Sequence, residues 1–137
     1  MIFSPKKKTS WELVERKAIA PVMVDDEYED LDVVHVSPKD VEATYVFDVP
    51  PKSEVPSWQD MQRVIVFARQ QYMKEASAQG WNTLLKEGWE ILWFRKSSKR
   101  RLEVKYSGRP ALVSGLKPHA ALARSPPFLE LLRSDLY

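Results

Sequence analysis

The sequence predicts an α+β fold: a mostly antiparallel sheet of two β-hairpins, one main helix packed on it, and extended N- and C-terminal arms. Three observations carry this expectation. Apolar residues alternate with polar ones through 41–49 and again through 89–106, as in strands with one buried face. One stretch, 57–76, instead places its apolar residues at helical spacing. The end of the chain is broken by four prolines (110, 118, 126, 127) and two glycines (108, 115), too often for a long element.

Length and composition bound the class. A chain of 137 residues fits one domain with a single modest core. Hydrophobic content of 44% and charged content of 29% are those of a folded soluble protein. The chain has no cysteine, which removes disulfides, thiolate metal sites and a Cys nucleophile. No apolar run approaches the roughly 20 residues that span a bilayer, and "MIFSPKKKTSWELVERK" lacks the apolar core of a signal peptide. The expected location is intracellular (cytoplasmic) or within a virion, without membrane contact. A net charge of +2 hides an asymmetry: residues 1–55 hold 7 Lys/Arg against 12 Asp/Glu, whereas residues 56–137 hold 14 against 7. Two electrostatically distinct faces, or mutual neutralisation of the halves in the fold, would both follow.

Taken in order, residues 1–10 read as a flexible basic arm with Lys6, Lys7 and Lys8. "TSWE" (9–12) has the pattern of a capping box opening a short helix. "AIAPVMV" (18–24) reads as a strand that Pro21 confines to an edge or a bend. Six acids between Asp25 and Asp32 match a calcium loop in composition only, without its glycine or its spacing, so a solvated loop is expected. "LDVVHV" (31–36), "SPKD" (37–40) and "VEATYVFDV" (41–49) predict a hairpin setting Val36 against Val41 and His35 against Glu42. "PPKSEVP" (50–56) reads as a linker. Ser57, with Asp60 three residues on, caps a helix that buries Met61, Val64, Ile65, Ala68, Tyr72 and Ala76 and leaves Arg63, Arg69, Gln70, Lys74 and Glu75 wet. Gly80 ends or kinks it, "WNTLLKE" (81–87) adds a turn or two, and Gly88 serves as C-cap. The domain so built covers 11–109, and 110–137 forms a Pro-rich arm.

After Gly88 the period becomes two. A turn centred between Ser97 and Ser98 sets Trp89 against Tyr106, Ile91 against Val104 and Trp93 against Leu102 on one apolar face. The other face pairs Glu90 with Lys105 and Phe94 with Arg101. A slip of one residue destroys both faces. The same register opposes Arg95 to Arg100 and Lys96 to Lys99, which is unfavourable by some tenths of a kcal/mol for each like-charge pair. Residues 95–109 carry 7 Lys/Arg and one acid, Glu103. Three accounts compete: an anionic partner neutralises the tip; acids elsewhere in the fold, above all in 25–32, do so; or solvent screens it. The first makes Arg95, Lys96, Lys99, Arg100, Arg101, Lys105 and Arg109 candidate contacts for an anion or nucleic acid.

"LLKEGWEILWF" (84–94) resembles the signature of a family of small, uncharacterised bacterial and phage proteins in which a helix ends at Gly-Trp-Glu and runs into a strand. Leu84, Leu85, Gly88, Trp89, Glu90 and Ile91 carry the likeness, which extends over about residues 57–106. It implies a helix packed on an antiparallel sheet and brings no activity.

Catalytic signatures are missing. The four glycines are scattered singly at 80, 88, 108 and 115, so no phosphate loop exists. Neither HExxH nor GxSxG occurs, and His119 in "KPHAAL" has no partner in sequence. No enzyme activity, cofactor or metal is expected. The C-terminal "SPPFLELLRSDLY" reads as a short helix capped by Ser125, too short to hold alone. Its Phe128, Leu129, Leu131 and Leu132 would dock either on this domain or, preferentially, on a neighbouring subunit. The expected function is a noncatalytic structural or accessory subunit of a larger assembly, a virion or nucleoprotein particle. Its arms would dock other protein subunits and its basic tip an anionic partner. The alternative is a free-standing nucleic-acid-binding protein using the 95–109 hairpin.

Overall fold

The computed structural model describes residues 10–23, 32–49, 56–116 and 120–133. It contains strands β1 (Glu12–Met23), β2 (Val33–Val36) and β3 (Val41–Val49), helix α1 (Trp58–Ala78), and strands β4 (Thr83–Lys96) and β5 (Lys99–Val113). A short helix α2 (Ala120–Ala123) and a 3-10 helix (Leu129–Arg133) follow. The five strands form one antiparallel sheet with α1 packed on one face, the expected α+β class.

The β4–β5 hairpin is the centre of the sheet, and its register is the one the alternation requires. Trp89 pairs with Tyr106, Ile91 with Val104, Trp93 with Leu102 and Phe94 with Arg101. All six residues of the apolar face are buried against Ile65, Ala68, Tyr72 and Met73 of α1. The reversal uses only Ser97 and Ser98, and Ser97 has φ +53. A positive φ is the condition for the tight primed turns whose twist matches that of the strands.

The chain from 33 to 49 does not form the expected hairpin. Val33–Val36 pairs with residues 111–113, and Val41–Val49 pairs with 108–100. Thus β2 and β3 lie end to end along one edge of β5, and His35 faces Leu112 rather than Glu42. The physical reason is Pro110, which has no N–H to give to that edge. The strand is broken opposite it: Ser37 N–H donates to the Pro110 carbonyl (2.8 Å), Ser37 Oγ–H to the Lys39 carbonyl (2.7 Å), and pairing resumes at Val41. "SPKD" is a break in an edge strand, and the fifteen-residue β5 is long enough to receive both parts.

At the opposite edge β1 pairs with β4. Glu12 is already its first residue, so "TSWE" opens a strand and not a helix; Thr9 lies outside the described residues. Pro21 sits in an edge strand and at a register shift, where its missing N–H is tolerated. The chain crowds Gly88 there: a Cβ on that residue would lie 2.7 Å from Pro21 N. Close backbone approach, and not a helix cap, is therefore what requires glycine at 88.

Helix α1 begins as expected, with a full capping box between Ser57 and Asp60. It ends earlier than expected. Gly80 (φ +96) donates to the Ser77 carbonyl and Trp81 to that of Ala76, a Schellman motif. Residues 83–87, expected as helix, are strand, so the Gly-Trp-Glu tripeptide lies within β4. Asn82 joins the ladder by its side chain, exchanging two 2.8 Å hydrogen bonds with the Val113 backbone.

The segment after 109 is only partly an arm. Pro110–Val113 belong to β5. Ala120–Ala123, within the expected Pro-rich arm, is helical, and Ala121 and Leu132 enter the same core as α1. Trp89 Nε1–H donates to the Pro127 carbonyl (2.8 Å) and Lys17 Nζ–H to that of Leu132 (3.1 Å), tying the end of the chain across the sheet.

Candidate anion-binding tip of the β4–β5 hairpin

Among the described residues, the last strand partners of the hairpin are Glu12 of β1, opposite Arg95, and Val49 of β3, opposite Arg100. Lys96, Ser97, Ser98 and Lys99 follow these pairings and make the turn. The like-charge appositions are real: Arg95 pairs with Arg100 and Lys96 with Lys99.

The seven candidate cations fall into two groups. Arg95 NH2 lies 2.9 Å from Glu12 Oε1, and Arg101 NH2 lies 2.9 Å from Glu103 Oε2. Lys105 approaches Glu90 at 3.7 Å, and Glu90 also holds Arg16. Arg109 Nε donates to Asp40 (2.8 Å), whose other oxygen lies 3.0 Å from Lys86 Nζ. The hydrogen bond from Lys86, followed by that from Arg109, holds the Asp40 carboxyl below its ordinary value. These four cations face acids of their own chain; residues 25–31 of the acidic loop lie outside the described residues.

The second group is the apex. Lys96 and Lys99 have no carboxylate within ion-pair distance among the described residues, and Arg100 reaches the carbonyls of Ser97 (3.5 Å) and Lys99 (3.4 Å). Alternation directs Phe94, Lys96, Lys99 and Arg101 to the face of the sheet away from α1. On that face Trp11, a residue the sequence reading did not single out, takes the Arg101 guanidinium 4.2 Å from its ring centroid and Lys96 Nζ at 5.8 Å. Phe94 supports Arg101 from the other strand, 5.4 Å away. Trp11, Asp48, Val49, Ser98, Lys99 and Arg100 line an open cleft of about 390 Å³ beside the turn.

The expected docking residues separate likewise. Leu132 is 1% exposed and part of the core, and Leu129 packs against that core. Leu132 thus packs into this domain's own core and Leu129 partly so. Phe128 (46% exposed, φ +55) and Leu131 (38%) remain at the surface. His119 lies outside the described residues.

One polar cluster escaped the sequence reading. Arg69, expected on the wet side of α1, is 1% exposed and holds Glu87, also 1% exposed, through Nε and Nη2 (2.8 and 3.3 Å). Tyr106 O–H donates to Glu87 Oε1 (2.5 Å), and Arg124 reaches Oε2 (3.2 Å). Burial first, then the Glu87 charge, pushes the Tyr106 hydroxyl far above its ordinary value, so it remains a donor. Arg69 NH1 continues to the carbonyls of Ala121 (2.6 Å) and Arg124 (3.0 Å). These contacts make a clasp joining α1, β4, β5 and the C-terminal segment. The signal was present: Arg69 stands four residues after Ile65 and three before Tyr72, on the buried face.

Among the described residues no group of three or more His, Asp or Glu side chains is arranged to hold a metal ion, and no helix is long and apolar enough to cross a membrane. No family model, curated protein or solved structure matches the chain.

Proposed function

We propose that this protein is a noncatalytic accessory subunit that holds an anionic partner at the apex of the β4–β5 hairpin. One observation carries the proposal. The sheet brings Arg95 against Arg100 and Lys96 against Lys99 at a turn that also holds Ser97 at positive φ. Each of these features costs stability, and none buries apolar surface in return. An anion lying across Lys96, Lys99 and Arg100 turns the repulsion into binding energy through release of counterions. The four cations tied to Glu12, Glu103, Glu90 and Asp40 support the apex and orient it. Membership of a larger assembly, such as a virion or nucleoprotein particle, is supported by Phe128 and Leu131, which stand exposed beside a segment otherwise anchored in the core.

The test is binding of the purified chain to heparin and to DNA over a range of salt. Affinity should fall steeply with salt, and Lys96→Gln/Lys99→Gln/Arg100→Gln should reduce the slope by about three times the single-contact value of ~0.9 on duplex DNA. An identical slope for wild type and variant overturns the assignment to the apex. Size and composition of the native particle test the accessory role, which predicts a mass well above the 15.9 kDa of the chain.

A further inference from the structure

The cleft beside the turn has a mixed lining that a simple polyanion does not use. We infer that it binds single-stranded nucleic acid, with one base against Trp11 and the flanking phosphates on Lys99 and Arg100. The inference rests on the anion-binding reading and adds the chemical class of the partner.

Four features of the lining decide the class. Lys99 and Arg100 both line the cleft and supply positive charge for phosphate. Trp11 supplies an indole surface, and it is placed by the Arg101 guanidinium at 4.2 Å, itself fixed to Glu103 at 2.9 Å. Ser98 offers a hydroxyl, and Asp48 places a carboxylate in a wall otherwise cationic. An acidic side chain supplies an anion for the cations but neither a π face for the indole nor an N–H donor for Asp48. A nucleotide matches all four: phosphate for the cations and for the Ser98 hydroxyl, a π face for the indole, and amino or imino N–H groups for the Asp48 carboxylate. The volume of about 390 Å³ is in the range of sites for a molecule of that size. A duplex keeps its bases stacked within, whereas a single strand presents them to an aromatic platform on a basic groove.

The experiment titrates the full-length chain with a single-stranded oligothymidylate and with an abasic strand of the same length and charge, following tryptophan fluorescence and affinity. The base-bearing strand should bind about five- to a hundredfold more tightly and quench fluorescence. Trp11→Ala should abolish both the preference and the quenching while leaving abasic binding in place. Trp11→Tyr, which keeps an aromatic ring over Arg101, should retain most of the preference and guards against a general loss of the tip. Equal binding of the two strands to wild type, or a preference that survives Trp11→Ala, overturns the inference and leaves the anion-binding reading standing. Tighter binding of poly-glutamate than of either strand also overturns it, in favour of a protein partner. Absence of salt-dependent binding to every probe, heparin included, removes the underlying reading as well.

Discussion

Replacing Glu87 by leucine probes the clasp between helix, sheet and chain end. The substitution roughly preserves volume but leaves the Arg69 guanidinium, 1% exposed, without its carboxylate, and Tyr106 O–H without the acceptor 2.5 Å away. Removing one member of a buried pair costs about 3–5 kcal/mol, because the remaining charge is left uncompensated. That is a large share of the roughly 5–15 kcal/mol by which a domain is stable. At about 3–5 °C per kcal/mol for this size, Tm should fall by roughly 10–20 °C. The double variant Arg69→Met/Glu87→Leu removes both charges. It should be more stable than Glu87→Leu alone, yet below wild type, since the carbonyls of Ala121 and Arg124 lose the Arg69 donor. Urea unfolding of wild type, Glu87→Leu, Arg69→Met and the double variant gives the coupling directly, and hydrogen exchange should show the segment from Ala121 to Leu132 opening first when Arg69 is absent. A loss below about 1 kcal/mol for Glu87→Leu, or single costs that simply add in the double variant, would refute the clasp.

Deleting residues 125–137 removes Leu132 from the core and the Pro127 carbonyl from Trp89, so a sharply lowered Tm is expected; unchanged stability with lost assembly would restore the segment as a docking arm. Ser97→Gly removes the penalty of a left-handed non-glycine residue and should stabilise the fold by about 1 kcal/mol, measured by urea unfolding. Asp40 titrates below its ordinary value in the fold, so its ion pairs with Lys86 and Arg109 contribute stability above the unfolded value of 3.8, lost as pH falls through the folded value. Asp40→Asn should therefore flatten the acid limb of a stability–pH profile below about pH 4, and an unaltered limb would show that these exposed pairs are inert.

The parts of the fold legible in the sequence are those governed by local repetition. The β4–β5 register was readable because a one-residue slip would put Trp93 and Leu102 on opposite faces, so only one pairing keeps the face intact. The path of 33–49 was not, because alternation tells a strand which face it buries and not which strand it joins. "SPKD" serves a reversal and a break equally well, and the residue that decides, Pro110, is distant in sequence. Gly88 was misread for the same reason: its constraint comes from Pro21 on another strand. The basic apex was visible as a charge run, but that Glu12 meets Arg95 and Asp40 meets Arg109 depends on segments far from the hairpin in the chain. Trp11 lies just outside the first strand and shows no periodicity, so only the fold brings it to Arg101.

Stability and anion binding measured on the same Lys99→Glu/Arg100→Glu variant test the central claim most directly. Each like-charge apposition, Arg95 with Arg100 and Lys96 with Lys99, becomes a pair of opposite charges. If the apex exists for a partner, Tm should hold or rise by a few degrees, since some tenths of a kcal/mol of repulsion per pair is relieved, while binding to heparin and to single-stranded DNA is lost. A fall in Tm with binding unchanged would contradict the account, because it would show that the fold itself uses these cations and that the anion lies elsewhere.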